Sequence, residues 1–414
     1  MTQSQNMLQE RSLGDEFSAS AISFGAMGMS EFYGTPPDDT ASLAVLDRAL
    51  ELGVSMIDTA DMYGRDHNER LIAKFIARHP MEYTNGRIRI ATKFGIDRDP
   101  NDSYKRSINN SPSYIRKACE GSLQRLGVER IDLYYAHRID PDADISETMA
   151  ILTDLKREGK IAHIGLCEVS AVTLEKAHAV HPVAALQSEY SLWTREVEDS
   201  ILPLCHRLGI GFVAYSPLGR GFLTGKYTTT EHLETGDFRL SNPRFQGENL
   251  RKNSALLAVV QAVADKYGCT PAQTALAWLL SRYEHLVVIP GTRSIARLEE
   301  NCRATAITLS EDDIALLNAA FTPEAVHGQR YPHVQVAGER NGRQQEGDGR
   351  HRYNRSVRCR ILFGFYGGRF YFGDIKGIWR RESIYLGISR SRRIHCKRER
   401  KTGYRYRGNS SYKA

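Results

Sequence analysis

Long apolar runs are missing from this chain. No uninterrupted stretch approaches the roughly 18 residues that a membrane-spanning helix needs, so helical insertion into a bilayer is excluded. The amino terminus, Met1-Thr-Gln-Ser-Gln-Asn6, has neither a basic start nor an apolar segment behind it, and no export signal is read there. Cysteine is sparse and scattered. The seven residues Cys119, Cys167, Cys205, Cys269, Cys302, Cys359 and Cys396 form no C-x-x-C pair. That argues against a disulfide framework or a zinc site and for a reducing, cytoplasmic setting. Also lacking is a G-x-G-x-x-G turn after an early strand, which a doubly wound dinucleotide fold would use to hold phosphate.

What is present suits a globular enzyme. The chain has 414 residues and 41% hydrophobic content, enough for one large core or two ordinary ones. Its net charge of +7 is unevenly spread. Of 56 basic and 49 acidic residues, 21 and 6 lie at or beyond His333, leaving 35 against 43 in the first 332 residues. The body is mildly acidic and only the tail is basic, so no nucleic-acid argument can be made for the whole protein.

Strand-like and helix-like segments alternate. A small hairpin is expected over 7–13 and 16–20, followed by a strand at Ala21–Gly25. Pro36-Pro37-Asp38 opens a helix with Leu43, Leu46 and Leu50 on one face. Further strands are expected at 55–58, 89–93, 131–136, 161–166, 184–187, 211–215 and 286–289. Helices are expected at 68–78, after Ser111-Pro112, and at 146–158, 171–180 and 196–208. An irregular insert spans 217–253, and later helices cover 254–267, 271–282, 294–304 and 311–321. The strands are short and nearly all apolar, as strands buried on both faces of a parallel sheet are. Eight such units over roughly 300 residues predict a (β/α)8 barrel.

In a barrel, residues just past the strands converge on one face. Here they are Asp58 and Tyr63, then Lys93, then His137. Singly, each has an ordinary structural explanation: a cap, a packed ring, a solvated charge, a buried imidazole. Together they form a proton-delivery site. A lysine ammonium beside a phenol favours the phenolate and is expected to lower the tyrosine pKa toward neutrality. Asp58 would hold Lys93 charged and fixed, and His137 could orient the same substrate oxygen. Hydride would have to come from a cofactor.

The motifs Phe24-Gly-Ala-Met-Gly-Met-Ser-Glu-Phe-Tyr-Gly34, Ile57-Asp-Thr-Ala-Asp-Met-Tyr-Gly64, Ala91-Thr-Lys-Phe-Gly95, Asp132-Leu-Tyr-Tyr-Ala-His137, Gly159-Lys-Ile-Ala-His-Ile-Gly165, Leu186-Gln-Ser-Glu-Tyr190, Tyr215-Ser-Pro-Leu-Gly-Arg-Gly-Phe-Leu-Thr-Gly225 and Ile289-Pro-Gly-Thr-Arg293 resemble the aldo-keto reductase superfamily. The likeness runs from about Met7 to Tyr331 and is greatest to microbial and plant auxin-induced-protein-like reductases. Potassium-channel β-subunits are a more distant branch.

The resemblance implies a catalytic tetrad of Asp58, Tyr63, Lys93 and His137, with Tyr63 as proton donor, and bound NADP(H). Tyr215 would stack on the nicotinamide and Gln187 would bind its carboxamide. Ser216, Leu218, Gly219, Gly221 and Lys226 would follow the pyrophosphate. Gly291, Thr292, Arg293, Ser294, Arg297, Glu300 and Asn301 would meet the adenine end. Two departures stand out. Gly291 occupies a position where many relatives carry a phosphate-gripping lysine, leaving Arg297 and Arg293 to supply charge. Cys167-Glu168 stands where many have Ser-Asn, and a thiol is a weaker donor. The substrate pocket would draw on 29–34, Trp193 and the insert around 222–245, with Phe32, Tyr33 and Trp193 read either as an aromatic subsite or as packing.

The likeness stops near Tyr331-Pro332. The expected organisation is a barrel over 1–332 and a basic Arg/Gly/Tyr-rich tail over 333–414. The tail is read as a disordered segment, as an anion- or RNA-binding arm, or as sequence foreign to the family. The functional expectation is a cytoplasmic NADP-dependent oxidoreductase acting on a small carbonyl compound. A regulatory subunit that binds NADP(H) and senses its redox state, with little turnover, is the alternative.

Overall fold

The computed structural model describes residues 8–99 and 106–332, together with the backbone of four short strands farther on. The chain divides into two compact units, Met1–Glu346 and Gly347–Ala414.

The first unit begins with an antiparallel hairpin, β1 (Glu10–Ser12) and β2 (Ser18–Ser20). It continues through β3 (Phe24–Gly25), α1 (Asp39–Glu51), β4 (Met56–Asp58), α2 (His67–Arg78), α3 (Pro80–Thr84) and β5 (Arg89–Phe94). A second hairpin, β6 (Ile96–Arg98) with β7 (Arg106–Ile108), precedes α4 (Pro112–Leu126). Then come β8 (Ile131–Ala136), α5 (Ile145–Arg157), β9 (Ile161–Cys167), α6 (Ala171–Val180), β10 (Ala185–Glu189), α7 (Ile201–Leu208) and β11 (Gly211–Tyr215). The insert leads into α8 (Gly247–Ser254), α9 (Leu257–Lys266), α10 (Pro271–Leu280), β12 (Leu286–Val288), α11 (Ile295–Cys302) and α12 (Glu311–Ala320).

Eight parallel strands lie in the order β12-β11-β10-β9-β8-β5-β4-β3. A parallel bridge between Ile22 and Val288 closes the ring, with Ser23 N donating to Val288 O at 2.9 Å. This is the expected (β/α)8 barrel. Side chains alternate along each strand. Met56, Ala91, Leu133, Tyr135, Cys167, Ala185 and Val213 fill the interior, while Ile57, Ile90, Tyr134, Leu166 and Phe212 pack outward under the helices. Gly165 makes room for the Tyr135 ring, since a Cβ there would lie 2.3 Å from it. The β1–β2 hairpin plugs the N-terminal end with Leu13 and Phe17.

Local chemistry sets the helix ends. Asp38 accepts from Ala41 N at the start of α1, Gly127 takes the left-handed C-cap of α4, and Thr270 with Gln273 forms a capping box on α10. The helix expected over 196–208 is instead a 3-10 turn followed by α7. Pro203 lacks an amide hydrogen and can sit only in a helix's first turn, so the helix cannot begin at 196. The helix expected over 254–267 begins earlier, as α8, and breaks before α9. The first barrel strand shrinks to Phe24–Gly25, and the β6–β7 hairpin and α3 had no counterpart among the expected elements.

In the second unit the backbone forms two antiparallel pairs: β13 (Val357–Tyr366) with β14 (Arg369–Gly377), and β15 (Gly387–Ile388) with β16 (Arg392–Arg393). The rest of the segment expected to be disordered lies outside the described residues. Among the described residues no helix is long and apolar enough to cross a membrane.

Candidate active site

The inward alternation carries a column of polar groups to the C-terminal end of the barrel. Asp58 ends β4, Lys93 is the next inward residue after Ala91 on β5, and His137 follows β8. Cys167, Gln187 and Tyr215 come from β9, β10 and β11. Tyr63 is not on a strand. It hangs from the loop after β4, where Tyr63 N donates to Ala60 O at 3.2 Å and Asn68 N donates to Tyr63 O at 3.3 Å.

Lys93 is wholly buried. Its ammonium donates to Asp58 Oδ1, to Thr59 O at 2.7 Å and to Tyr63 Oη at 3.3 Å. Gln187 Nε2 donates to Asp58 Oδ2 at 2.7 Å, so the carboxylate is fixed from both sides. The Tyr63 and His137 rings meet edge to face, with centroids 5.8 Å apart at 85°. His137 Nδ1 is buried with no hydrogen-bond partner.

Burial, the largest influence on Lys93, would lower its pKa, but Asp58 and its neighbours outweigh it and hold the ammonium above its ordinary value. Burial lifts Asp58 above the usual carboxylate range, against the pull of Lys93 and Gln187. An acid touching an ammonium and an amide donor remains ionised at neutrality. The expected drop in the Tyr63 pKa is not found. Burial pushes this phenol up to about 12 and outweighs the pull of Lys93. Tyr63 is therefore a fully protonated donor at neutral pH, with the Lys93 ammonium in place to stabilise the phenolate left after proton transfer. Burial, then Lys93, Arg138 and Arg106, holds His137 well below the ordinary imidazole value, so it is neutral.

These groups open into a cavity of roughly 1050 Å3. Asp58, Tyr63, His137 and Gln187 line it, while Lys93 lies behind them. Of the residues expected to hold a dinucleotide, Tyr215, Ser216, Leu218, Gly221, Lys226, Gly291, Thr292, Arg293, Arg297, Glu300 and Asn301 also line it. Gly219 and Ser294 do not. Gly219 backs onto Trp193, where an added Cβ would lie 2.8 Å from the indole, and Ser294 caps α11. Gly221 has φ +91°, and a Cβ there would strike the Tyr227 ring at 2.7 Å, so the turn beside the cavity requires glycine. Gln187, expected at the carboxamide, directs its amide donor to Asp58.

Phe32 and Tyr33 line the cavity, but Trp193 is packing. It stacks on Phe222 at 3.9 Å and meets Phe245 edge-on, all three buried. The thiol of Cys167 faces the cavity and burial pushes it up to about 12. Glu168 adopts a left-handed backbone, φ 51°, and its carboxylate accepts from Glu189 N at 2.8 Å and from Arg330 at 2.7 Å. Tyr227 and Arg239, from the insert expected to contribute to the pocket, line the cavity as well, and so do Met62, Ile96, Arg106, Arg138, Arg220 and Tyr331, which were not assigned to it from the sequence. Arg138 was open to inference, since it directly follows His137. Met62, Ile96 and Arg220 likewise lie next to or near Tyr63, Lys93 and Gly221, whereas Arg106 and Tyr331 arrive from segments with no such neighbour and carry no local signal.

The cavity has the size and lining to take a nicotinamide dinucleotide. It is large and collects Lys226, Arg293 and Arg297 beside Gly291, with the Tyr215 ring also in its wall. Arg293 Nη2 is buried without a partner, an unsatisfied donor of the kind a bound phosphate would engage. Among the described residues no cluster of His, Cys, Asp and Glu could hold a metal ion.

Comparison with known proteins agrees with this geometry. The family model for the aldo/keto reductase family matches residues 21–321. A curated relative from Glycine max, "Probable aldo-keto reductase 1", is 45% identical over 332 residues, covering 80% of this chain and 93% of that protein. Among solved structures, a glycerol dehydrogenase from Gluconobacter oxydans matches with a TM-score of 0.69 at 27% identity, over 75% of this chain and 94% of that one. A thermostable aldo-keto reductase in complex with epalrestat matches with a TM-score of 0.61 at 27% identity, over 76% and 100%.

Proposed function

The chain belongs to the aldo/keto reductase family, whose members are oxidoreductases of small carbonyl compounds, and on that premise we propose that it is an NADP-dependent reductase of aldehydes or ketones with Tyr63 as the proton donor. The observation that carries the proposal is the contact of the Lys93 ammonium with Tyr63 Oη at 3.3 Å, Asp58 fixing that ammonium beneath an open cavity. NADPH, when bound, supplies hydride to the carbonyl carbon. The protein's part is to bind, orient and protonate. Neutral His137 and Tyr63 present polar hydrogens to the carbonyl oxygen, polarising it. Tyr63 then gives up its proton, and the phenolate is held by Lys93. Asp58 touches no substrate: it keeps Lys93 charged and aimed.

Lys226, Arg293 and Arg297 are assigned to the phosphates, Tyr215 to the nicotinamide face, and Arg297 in particular to the 2′-phosphate in place of a lysine at Gly291. The barrel over 1–332 carries this chemistry. A reducing cytoplasmic setting fits the five free thiols among the described residues. The test is NADPH oxidation, followed at its absorbance, over a panel of aldehydes and ketones including 4-nitrobenzaldehyde and pyridoxal. Steady turnover of at least one carbonyl supports the reading. Tight NADPH retention with negligible turnover across the panel would instead favour the redox-sensing subunit.

A further inference from the structure

The end of the first unit is built into the cavity wall. Residues 327–332 run against the insert and are tied to it by buried side chains. Asn253 Nδ2 donates to His327 O at 2.8 Å, and Asn253 Oδ1 accepts from His327 N at 2.8 Å. Arg244 Nε donates to Gly328 O at 3.3 Å, and Asn242 Nδ2 donates to Arg330 O at 2.9 Å. Gly328 has φ +91° with the backbone of Pro243 2.9 Å from where a Cβ would stand, so only glycine lets the segment lie this close.

This anchoring delivers two side chains. Arg330 donates to Glu168 Oε2 at 2.7 Å and approaches Glu189 Oε2 at 3.6 Å. Glu189 in turn receives Arg220 through both oxygens, at 3.0 and 2.8 Å. The Tyr331 ring has the guanidinium carbons of Arg220 and Arg330 each 5.0 Å from its centroid. Its hydroxyl meets the Tyr215 hydroxyl at 3.0 Å. Tyr215 is the ring assigned above to the nicotinamide. An aromatic ring held only at its base can tilt, and a hydrogen bond at its tip removes that freedom. Glu168 also gains an explanation. It stands where many relatives carry an asparagine, and a carboxylate cannot donate to a carboxamide oxygen. Here it is engaged by Arg330 instead.

We propose that Tyr331 is a positioning residue: it fixes the tilt of Tyr215, and so the face offered to the nicotinamide, with the Glu168–Arg330 pair as its anchor. The proposal rests on the NADP-dependent reading and concerns residues that act through Tyr215. Cofactor affinity is thereby coupled to the segment just before His333.

The experiment uses the full chain and the variants Tyr331→Phe and Glu168→Gln. NADPH affinity is read by quenching of protein fluorescence, thermal midpoint by circular dichroism, and KM and kcat with one accepted aldehyde. Tyr331→Phe keeps the ring and its cation contacts and removes only the hydroxyl. It should raise the NADPH Kd about three- to tenfold, the worth of one hydrogen bond, and raise KM for NADPH more than it lowers kcat. Its thermal midpoint should stay within about 2 °C of wild type, because only one hydrogen bond is lost. Glu168→Gln should act in the same direction, and the double variant should be weaker than additive because both changes act through Tyr215. Wild-type affinity and KM in both single variants would overturn the assignment, as would an affinity loss that merely follows a loss of thermal stability. Wild-type protein that binds no NADPH would remove the cofactor reading and this inference together, whereas normal wild-type binding with unaffected variants would sink the inference alone.

Discussion

Asp58 and Lys93 form a buried ion pair, their side chains 4% and 0% exposed. Removing one partner of such a pair leaves an uncompensated charge away from water, which costs about 3–5 kcal/mol. Asp58→Asn is the sharper perturbation because its hydrogen bonds can be rebuilt. The amide oxygen of the substituted side chain can still accept from Lys93, and Gln187 can turn its own amide to accept from the new NH2. What is lost is the charge. At about 2 °C per kcal/mol for a domain this large, the thermal midpoint should fall by about 6–10 °C. Lys93→Met should cost a similar amount by stranding the carboxylate. The double variant should lose no more than either single one, because it removes both charges and strands neither.

The pH dependence gives an independent sign. In the wild type the folded pKa of Lys93 is raised, so its contribution is present below the unfolded value near 10.4 and lost only above it. In Asp58→Asn burial is unopposed and the folded pKa falls below the unfolded one. The unfolded state then binds more protons, and stability should rise with pH up to the unfolded value near 10.4. The assay is urea and thermal unfolding of the four proteins in a double-mutant cycle. Costs that add to within about 0.5 kcal/mol would refute the coupling, as would a flat pH response in Asp58→Asn.

Three further outcomes are expected. Lys266, Ser310 and Tyr267 hold the Asp313 carboxyl down at about 2, so its contribution is present above the unfolded value near 3.9 and lost as the pH falls toward 2. Asp313→Asn should therefore flatten the acid limb of a plot of thermal midpoint against pH, and an unchanged limb would count against it. Arg297→Met should weaken NADPH binding by about tenfold while leaving NADH nearly unaffected, as expected for loss of one charge-assisted phosphate contact; equal losses for both nucleotides would move the 2′-phosphate elsewhere. A chain ending at Pro332 should retain the full chain's thermal midpoint and NADPH affinity, measured side by side, and a loss of either would show that the basic segment supports the barrel.

The barrel was legible because its strands are short, apolar and spaced by helices. The convergence of Asp58, Lys93 and His137 followed from their places at the ends of strands in a barrel. The expected fall in the Tyr63 pKa failed because a sequence records neighbours but not desolvation, and burial outweighs the ammonium at 3.3 Å. Trp193 was readable either way, since only tertiary packing decides whether an aromatic ring joins a core or a pocket. The Arg330–Tyr331 contacts with Glu168 and Tyr215 span more than a hundred residues and have no periodic signature. Pro203, by contrast, was a local signal that should have moved the start of α7.

The most direct test of the proton-donor assignment is the Tyr63→Phe variant, with NADPH binding by fluorescence quenching and single-turnover reduction of an accepted aldehyde measured on the same sample. The phenyl ring preserves the packing and removes the one group, among the described residues, positioned both to give a proton and to lean on Lys93. NADPH affinity should match wild type to within about twofold, while the reduction rate should fall by at least the roughly 10²–10⁴-fold that positioned acid catalysis contributes. Normal binding with a wild-type reduction rate would contradict the assignment of Tyr63.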